Sequence, residues 1–184
     1  MHTEPHEVKS EQVDESFEIS VGRCSFTDEM PTEVLVVTDA VLVHGAAMDI
    51  AHALLLTERF VPLLVVGVGY AGAGTIPETS AQRLRDLTPT AVEDREGSGG
   101  TAPFLGFLRD ELSPWLTDRY GVGIVGASYA GGSLGGLFGA WVLLHEPTMF
   151  RRYLLGSPSL WWDKGFIFDH EAVYAASTRR PSNG

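Results

Sequence analysis

Hydrophobic positions along the chain fall into two patterns. Phe17-Glu18-Ile19-Ser20-Val21 alternates apolar and polar residues, which predicts a half-buried edge strand. Glu33 to Thr38 is instead a continuous run rich in valine, as is Phe60 to Val66, and such runs predict central strands buried on both faces. Between them Val41 to Thr57 has helical character. Gly67 to Ser80 reads as a loop, Arg85 to Thr90 as an extended segment because Pro89 disfavours helix at Thr88, and Glu93 to Gly100 as a mobile loop. Thr101-Ala102-Pro103 opens a helix through Arg119 whose broad apolar face carries Phe104, Leu108, Leu112 and Leu116. Ile124 to Ala130 and Arg152 to Gly156 complete the strands, with a helix from Leu137 to His145 between them. Strands alternating with helices predict an α/β fold, a mostly parallel sheet flanked by helices. No internal repeat and no second domain are visible.

Composition narrows what such a domain can do. A formal charge of −11 and a pI near 4.8 argue against a nucleic-acid or anionic-membrane surface. The single cysteine, Cys24, excludes an internal disulfide and a cysteine-based metal cluster, and the compartment expected is the cytoplasm. Residues 1–16 are polar and acidic, unlike a signal peptide, and predict a disordered arm before one domain over 17–184. The 24 residues from Gly121 to Leu144 carry no charge, but eight are glycine, which suits a buried strand, turn and helix better than a membrane span.

That uncharged stretch holds the main candidate chemistry. In Gly131-Gly132-Ser133-Leu134-Gly135-Gly136 a serine sits at the tip of a glycine turn between strand and helix, the order of a nucleophile elbow. Close backbone packing there calls for nearly side-chain-free neighbours at Gly131, Gly135 and Gly136. The following helix aims its first N–H groups at the position where an oxyanion would form. Ser128, in the run leading to the turn, reads as a buried strand serine. Gly67-Val68-Gly69-Tyr70-Ala71-Gly72 follows a strand and has Glu93 downstream, which raises a dinucleotide-binding alternative; yet Ala73-Gly74-Thr75-Ile76-Pro77 cannot start the required helix. Gly121-Val122-Gly123-Ile124-Val125-Gly126 follows a helix and fails too. Trp161 and Trp162 are either pocket walls or core filler, and Arg85 and Asp86 read either as a pair near the site or, the better reading, as residues that only pin a strand end. His44 and His52 read as satisfied or solvent-facing helix histidines, not ligands. No cluster has metal-ligand spacing, so neither metal nor other cofactor is expected.

Three segments in one order, Arg85-Asp86-Leu87-Thr88-Pro89-Thr90, the Ser133 elbow and Ser157-Pro158-Ser159-Leu160-Trp161-Trp162-Asp163, resemble the esterase-D and enterochelin-esterase group of α/β hydrolases. The resemblance runs from about Val34 to Asp163. It implies hydrolysis of a small carboxylic ester or thioester, with Ser133 as nucleophile and the Leu134 N–H as one oxyanion donor. It also implies a second donor around Ala40 or Val41, where family members often carry glycine in place of Ala40. In such hydrolases an acid and then a histidine follow the serine. Only 51 residues follow Ser133 here, and Glu146, Asp163, Asp169, Glu171, His145 and His170 match neither family segment. The chain therefore reads as a hydrolase with its last strands missing and its activity impaired, open to association with another copy through a bare sheet edge. The alternative from another class is a binding or assembly module that retains the pocket.

Overall fold

The computed structural model describes residues 3–27, 31–57 and 61–178. Phe60, the polar positions Asp28 and Glu29, and the tail from Arg179 lie outside the described residues. The strands are β1 (Thr3–Ser10), β2 (Glu15–Cys24), β3 (Glu33–Thr38), β4 (Leu63–Tyr70), β5 (Ala127–Gly132) and β6 (Phe150–Gly156). They form one sheet in the order β1-β2-β4-β3-β5-β6. β4, β3, β5 and β6 run parallel, whereas β1 and β2 join antiparallel, so the sheet is mixed. Its helices are α1 (Ala40–Leu55), α2 (Ser80–Asp86), α3 (Thr101–Gly106), α4 (Ser113–Tyr120), α5 (Leu134–His145) and α6 (Ile167–Thr178). This is the α/β-hydrolase-type architecture expected.

The N-terminal reading needs correction. From Thr3 onward the expected arm over 1–16 is not disordered: Thr3 pairs opposite Gly22 and Ser10 opposite Glu15 along the whole of β1. Phe17 to Val21 is accordingly an interior segment between β1 and β4, not an edge. β1 itself is the edge and buries only Val8 and Ser10, so its charged exposed positions hide a strand from a hydrophobic pattern. The hairpin tip is tied down where the Glu111 carboxylate accepts the Glu11 and Gln12 N–H groups, each at 3.2 Å.

Arg85 to Thr90 is also not extended throughout, because α2 includes Arg85 and Asp86. Pro89 restrains only the residue before it, leaving Ser80 to Asp86 free to coil. Asp86 is fully buried and takes the Arg85 guanidinium at 2.6 and 2.9 Å, while Arg85 also reaches Glu15 on β2 at 3.1 Å. The expected helix from Thr101 to Arg119 is present in three pieces. Its π-helical middle, Phe107–Leu112, buries Phe107, Leu108 and Leu112 together. On that face of the sheet Phe17 stacks on Phe107 at 4.3 Å and Phe104 meets Phe138 edge-on at 5.1 Å.

The opposite face is covered by α1, which lies against β2 and β4. A Cβ at Gly67 would stand 2.9 Å from Ala40 Cβ and 2.8 Å from His44 Cδ2. Gly67 and Gly69 thus lie inside β4, where Gly67 clears space for a helix, and β4 leads into a turn rather than a helix. The dinucleotide alternative fails on that geometry. Towards β5 and β6 the same face is uncovered by the described residues. An apolar cavity of about 370 Å³ runs there between Leu35, Val37, Ile50, Leu54, Ala130 and Leu154. No helix among the described residues is long and apolar enough to cross a membrane.

Both α1 histidines are satisfied. His52 Nδ1 lies 2.9 Å from the Met48 carbonyl, and the buried His44 donates Nε2–H to the Val65 carbonyl at 3.3 Å. Burial lowers the His44 pKa below its ordinary 6.5, outweighing the opposing hydrogen bond. The unfolded chain therefore takes up a proton near 6.5 that the folded chain refuses until lower pH. His44 contributes no pH-dependent loss above 6.5, and stability falls as pH drops below it. Urea midpoints at pH 7.5 and 5.5 should differ less in His44→Gln than in the parent. An equal difference would assign the slope to other groups.

Candidate active site

Ser133 is held between the last residue of β5 and the first of α5 with φ 54° and ψ −116°, a region that L residues rarely occupy. The surroundings fix it there. Its N–H donates to the Gly156 carbonyl on β6 at 3.0 Å, and its carbonyl accepts the Ser159 N–H at 3.0 Å. A Cβ at Gly131 would stand 2.5 Å from the Tyr129 hydroxyl and 2.6 Å from the Gly135 backbone. One at Gly135 would collide with Thr38 Oγ1, and one at Gly136 would lie 2.9 Å from Pro158 Cα. All three positions therefore require glycine for proximity, as the sequence suggested.

Beneath the turn lies fully buried Tyr129, whose hydroxyl donates to the Gly135 carbonyl at 2.7 Å and meets the Thr38 hydroxyl at 3.0 Å. Burial raises the Tyr129 pKa far above its ordinary value, so the phenol stays a donor. This chain of hydroxyls couples the elbow to the end of β3.

The residues after β3 stand beside the elbow because β3 and β5 pair in parallel, Val37 opposite Ala130. Asp39 carries φ 58° and ψ 45°, and Ala40 and Val41 open α1. The left-handed residue is Asp39, so alanine at position 40 sits in ordinary helical backbone. First-turn N–H groups lack intrahelical acceptors, which applies to Ala40 and Val41 on α1 and to Leu134 on α5. α5 starts directly after Ser133, and α1 starts two residues after Thr38, whose hydroxyl lies in the bonded chain beneath the elbow. Unpaired first-turn N–H groups of this kind suit stabilisation of developing negative charge.

The base is a different matter. Among the described residues the Ser133 hydroxyl has its hydrogen bond to Ser159 Oγ, at 3.3 Å. His145 ends α5, roughly 18 Å from Ser133 at 1.5 Å per residue. Its ring stacks on Trp141 at 4.4 Å and lies 4.5 Å from His170, and burial lowers its pKa. The two histidines are thus brought to each other, at the far end of the helix. Of the acids, Glu146 pairs with Arg109 at 2.8 Å, and Asp169 and Glu171 are exposed on α6. Asp163 occupies a left-handed position in the short helical turn after Trp162.

The tandem tryptophans divide. Trp162 is buried and donates its indole N–H to Thr90 Oγ1 at 3.1 Å, while Trp161 is 67% exposed. Ser128 is half-buried in β5 opposite Arg152. Ser159, contacting Ser133, received no role from sequence reasoning; its position in Ser157-Pro158-Ser159, just past β6, was the available signal. No group of three or more His, Cys, Asp or Glu among the described residues could hold a metal ion.

Comparison with known proteins gives a consistent pattern. The profile of a family described as "Putative esterase" matches residues 10–182. The ferri-bacillibactin esterase BesA of Bacillus subtilis (strain 168) is 35% identical over 136 residues, covering 67% of this chain and 46% of the relative. A siderophore triacetylfusarinine C esterase of Aspergillus fumigatus is 31% identical over 121 residues, 65% of this chain and 41% of the relative. Among solved structures, the BES protein from Bacillus cereus superposes with a TM-score of 0.84 at 21% identity, covering 95% of this chain and 68% of that one. Siderophore hydrolase EstB from Aspergillus nidulans gives 0.79 at 25% identity, with 99% and 64% covered. The chain spans less than half the length of these curated relatives.

Proposed function

Given that the chain belongs to the "Putative esterase" family of carboxylic-ester hydrolases, we propose that it carries the serine-nucleophile half of a siderophore esterase. The observation that supports this most is Ser133, strained at φ 54° on a turn where Gly131, Gly135 and Gly136 leave no room for a Cβ. In the reaction proposed, Ser133 Oγ attacks the ester carbonyl as its proton passes to a base. The oxyanion rests on the N–H groups of Leu134 and of Ala40 or Val41. The alcohol leaves with a proton, and water then cleaves the acyl-enzyme. Trp161, exposed on the loop after β6, would meet an aromatic or apolar part of the substrate.

Because the Ser133 hydroxyl meets Ser159 and no imidazole among the described residues, these residues alone are expected to turn over slowly. The test is hydrolysis of ferric bacillibactin, followed by mass spectrometry of the opened ester, beside Ser133→Ala. A slow rate that vanishes in the variant supports the reading. Equal background rates with a ligand-induced rise in melting temperature would favour the binding-module alternative.

A further inference from the structure

The side chain of Asp39 does something unusual for its place. An aspartate before the first residue of a helix ordinarily turns its carboxylate onto the second or third N–H of that helix. Asp39 makes no such cap. Both its oxygens are taken by Arg83 of α2, which donates Nε–H to Oδ1 at 2.7 Å and an Nη2–H to Oδ2 at 3.0 Å. The pair is largely buried, with the Arg83 and Asp39 side chains 14% and 8% exposed. Asp39 is also the residue in the left-handed region, whereas the usual capping geometry is extended. Backbone and side chain are therefore both held away from the cap.

We propose that Arg83 is a positioning residue, acting through Asp39 to keep the Val41 N–H open for the oxyanion. The inference rests on the reading of Ser133 as nucleophile. An aspartate released from Arg83 has two gains available: leaving the left-handed region and closing on its own helix. Either movement places a carboxylate where the developing negative charge needs a donor. The bidentate geometry is one that arginine supplies and a lysine point charge does not. Arg83 and Asp39 lie 44 residues apart, so the clamp also fixes α2 against the end of β3.

Two readouts test this on the full chain. Amide hydrogen exchange at Val41 should slow at least tenfold in Arg83→Met, because the freed Asp39 caps it. It should return to the parental rate in Arg83→Met/Asp39→Gly, where no carboxylate remains and glycine accepts the left-handed backbone. Labelling of Ser133 by a fluorophosphonate, which forms the Oγ–P bond as the Oγ–H and P–F bonds break and HF is released, should fall at least tenfold in the single variant and recover in the double. Unchanged or faster Val41 exchange in Arg83→Met overturns the proposal, since a merely structural ion pair would let the helix end fray. Reduced labelling that Asp39→Gly does not restore overturns it as well. If the parent shows no Ser133-dependent labelling, the nucleophile reading fails, and the exchange at Val41 still decides the clamp.

Discussion

Replacing Ser133 with glycine is expected to raise the stability of the folded chain by about 1–3 kcal/mol, the cost of holding a non-glycine residue in a sparsely populated backbone region. The cause is local. Ser133 sits at φ 54° and ψ −116°, fixed by hydrogen bonds to Gly156 and Ser159 that any residue could make through its backbone. Glycine enters that region without Cβ strain, so the turn keeps its bonds and loses the penalty. Part of the gain is offset by the greater freedom glycine has when unfolded. Ser133→Ala removes the hydroxyl but not the Cβ and should leave stability close to the parent. Urea midpoints of both variants check this, and a glycine variant no more stable than the alanine one would show the turn to be unstrained. Both should abolish Ser133-dependent chemistry, which separates strain from reactivity at one position.

Gly131→Ala is expected to destabilise the chain by about 3 kcal/mol, at the upper end of the usual overpacking range, whereas Gly132→Ala should change stability by less than about 1 kcal/mol. A Cβ at Gly131 meets the Tyr129 hydroxyl at 2.5 Å and the Gly135 backbone at 2.6 Å. Neither can yield. The hydroxyl is bonded to both Thr38 and Gly135 beneath the turn, and moving Gly135 moves the first turn of α5. At Gly132 the nearest atom to an added Cβ is the Gly156 carbonyl oxygen at 3.7 Å, an ordinary contact. Chemical denaturation of the two variants decides the matter. Equal losses would place the constraint on backbone conformation and not on space.

What the sequence conveyed and what it concealed follow from how each signal arises. The buried parallel strands were legible because residues covered on both faces are uniformly apolar, as in Val34 to Val37. The elbow was legible because three glycines at fixed offsets from one serine mark a place where backbone must pack directly on backbone. β1 was not, since an edge strand that buries only Val8 and Ser10 has almost no hydrophobic pattern to show. α2 is hard to see because a proline three residues beyond Asp86 signals the loop after it more strongly than the short helix signals itself. The Arg83–Asp39 pair spans 44 residues, and no local rule links an arginine on one helix to an aspartate that would ordinarily cap another. Ser159 was visible as a letter in a motif, but its contact with Ser133 depends on β5 and β6 lying side by side.

The notch at Gly67 has a reach beyond packing. Ala40 rests on the bare backbone of β4, and its N–H is one of the two proposed above as the second oxyanion donor. A methyl group added at Gly67 would lift the start of α1 and re-aim that donor without approaching a substrate. On that proposal, mutational drift in the middle of β4 is coupled to reactivity at the end of β3. A directed-evolution search confined to visible pocket walls would overlook the position that sets the height of the donor.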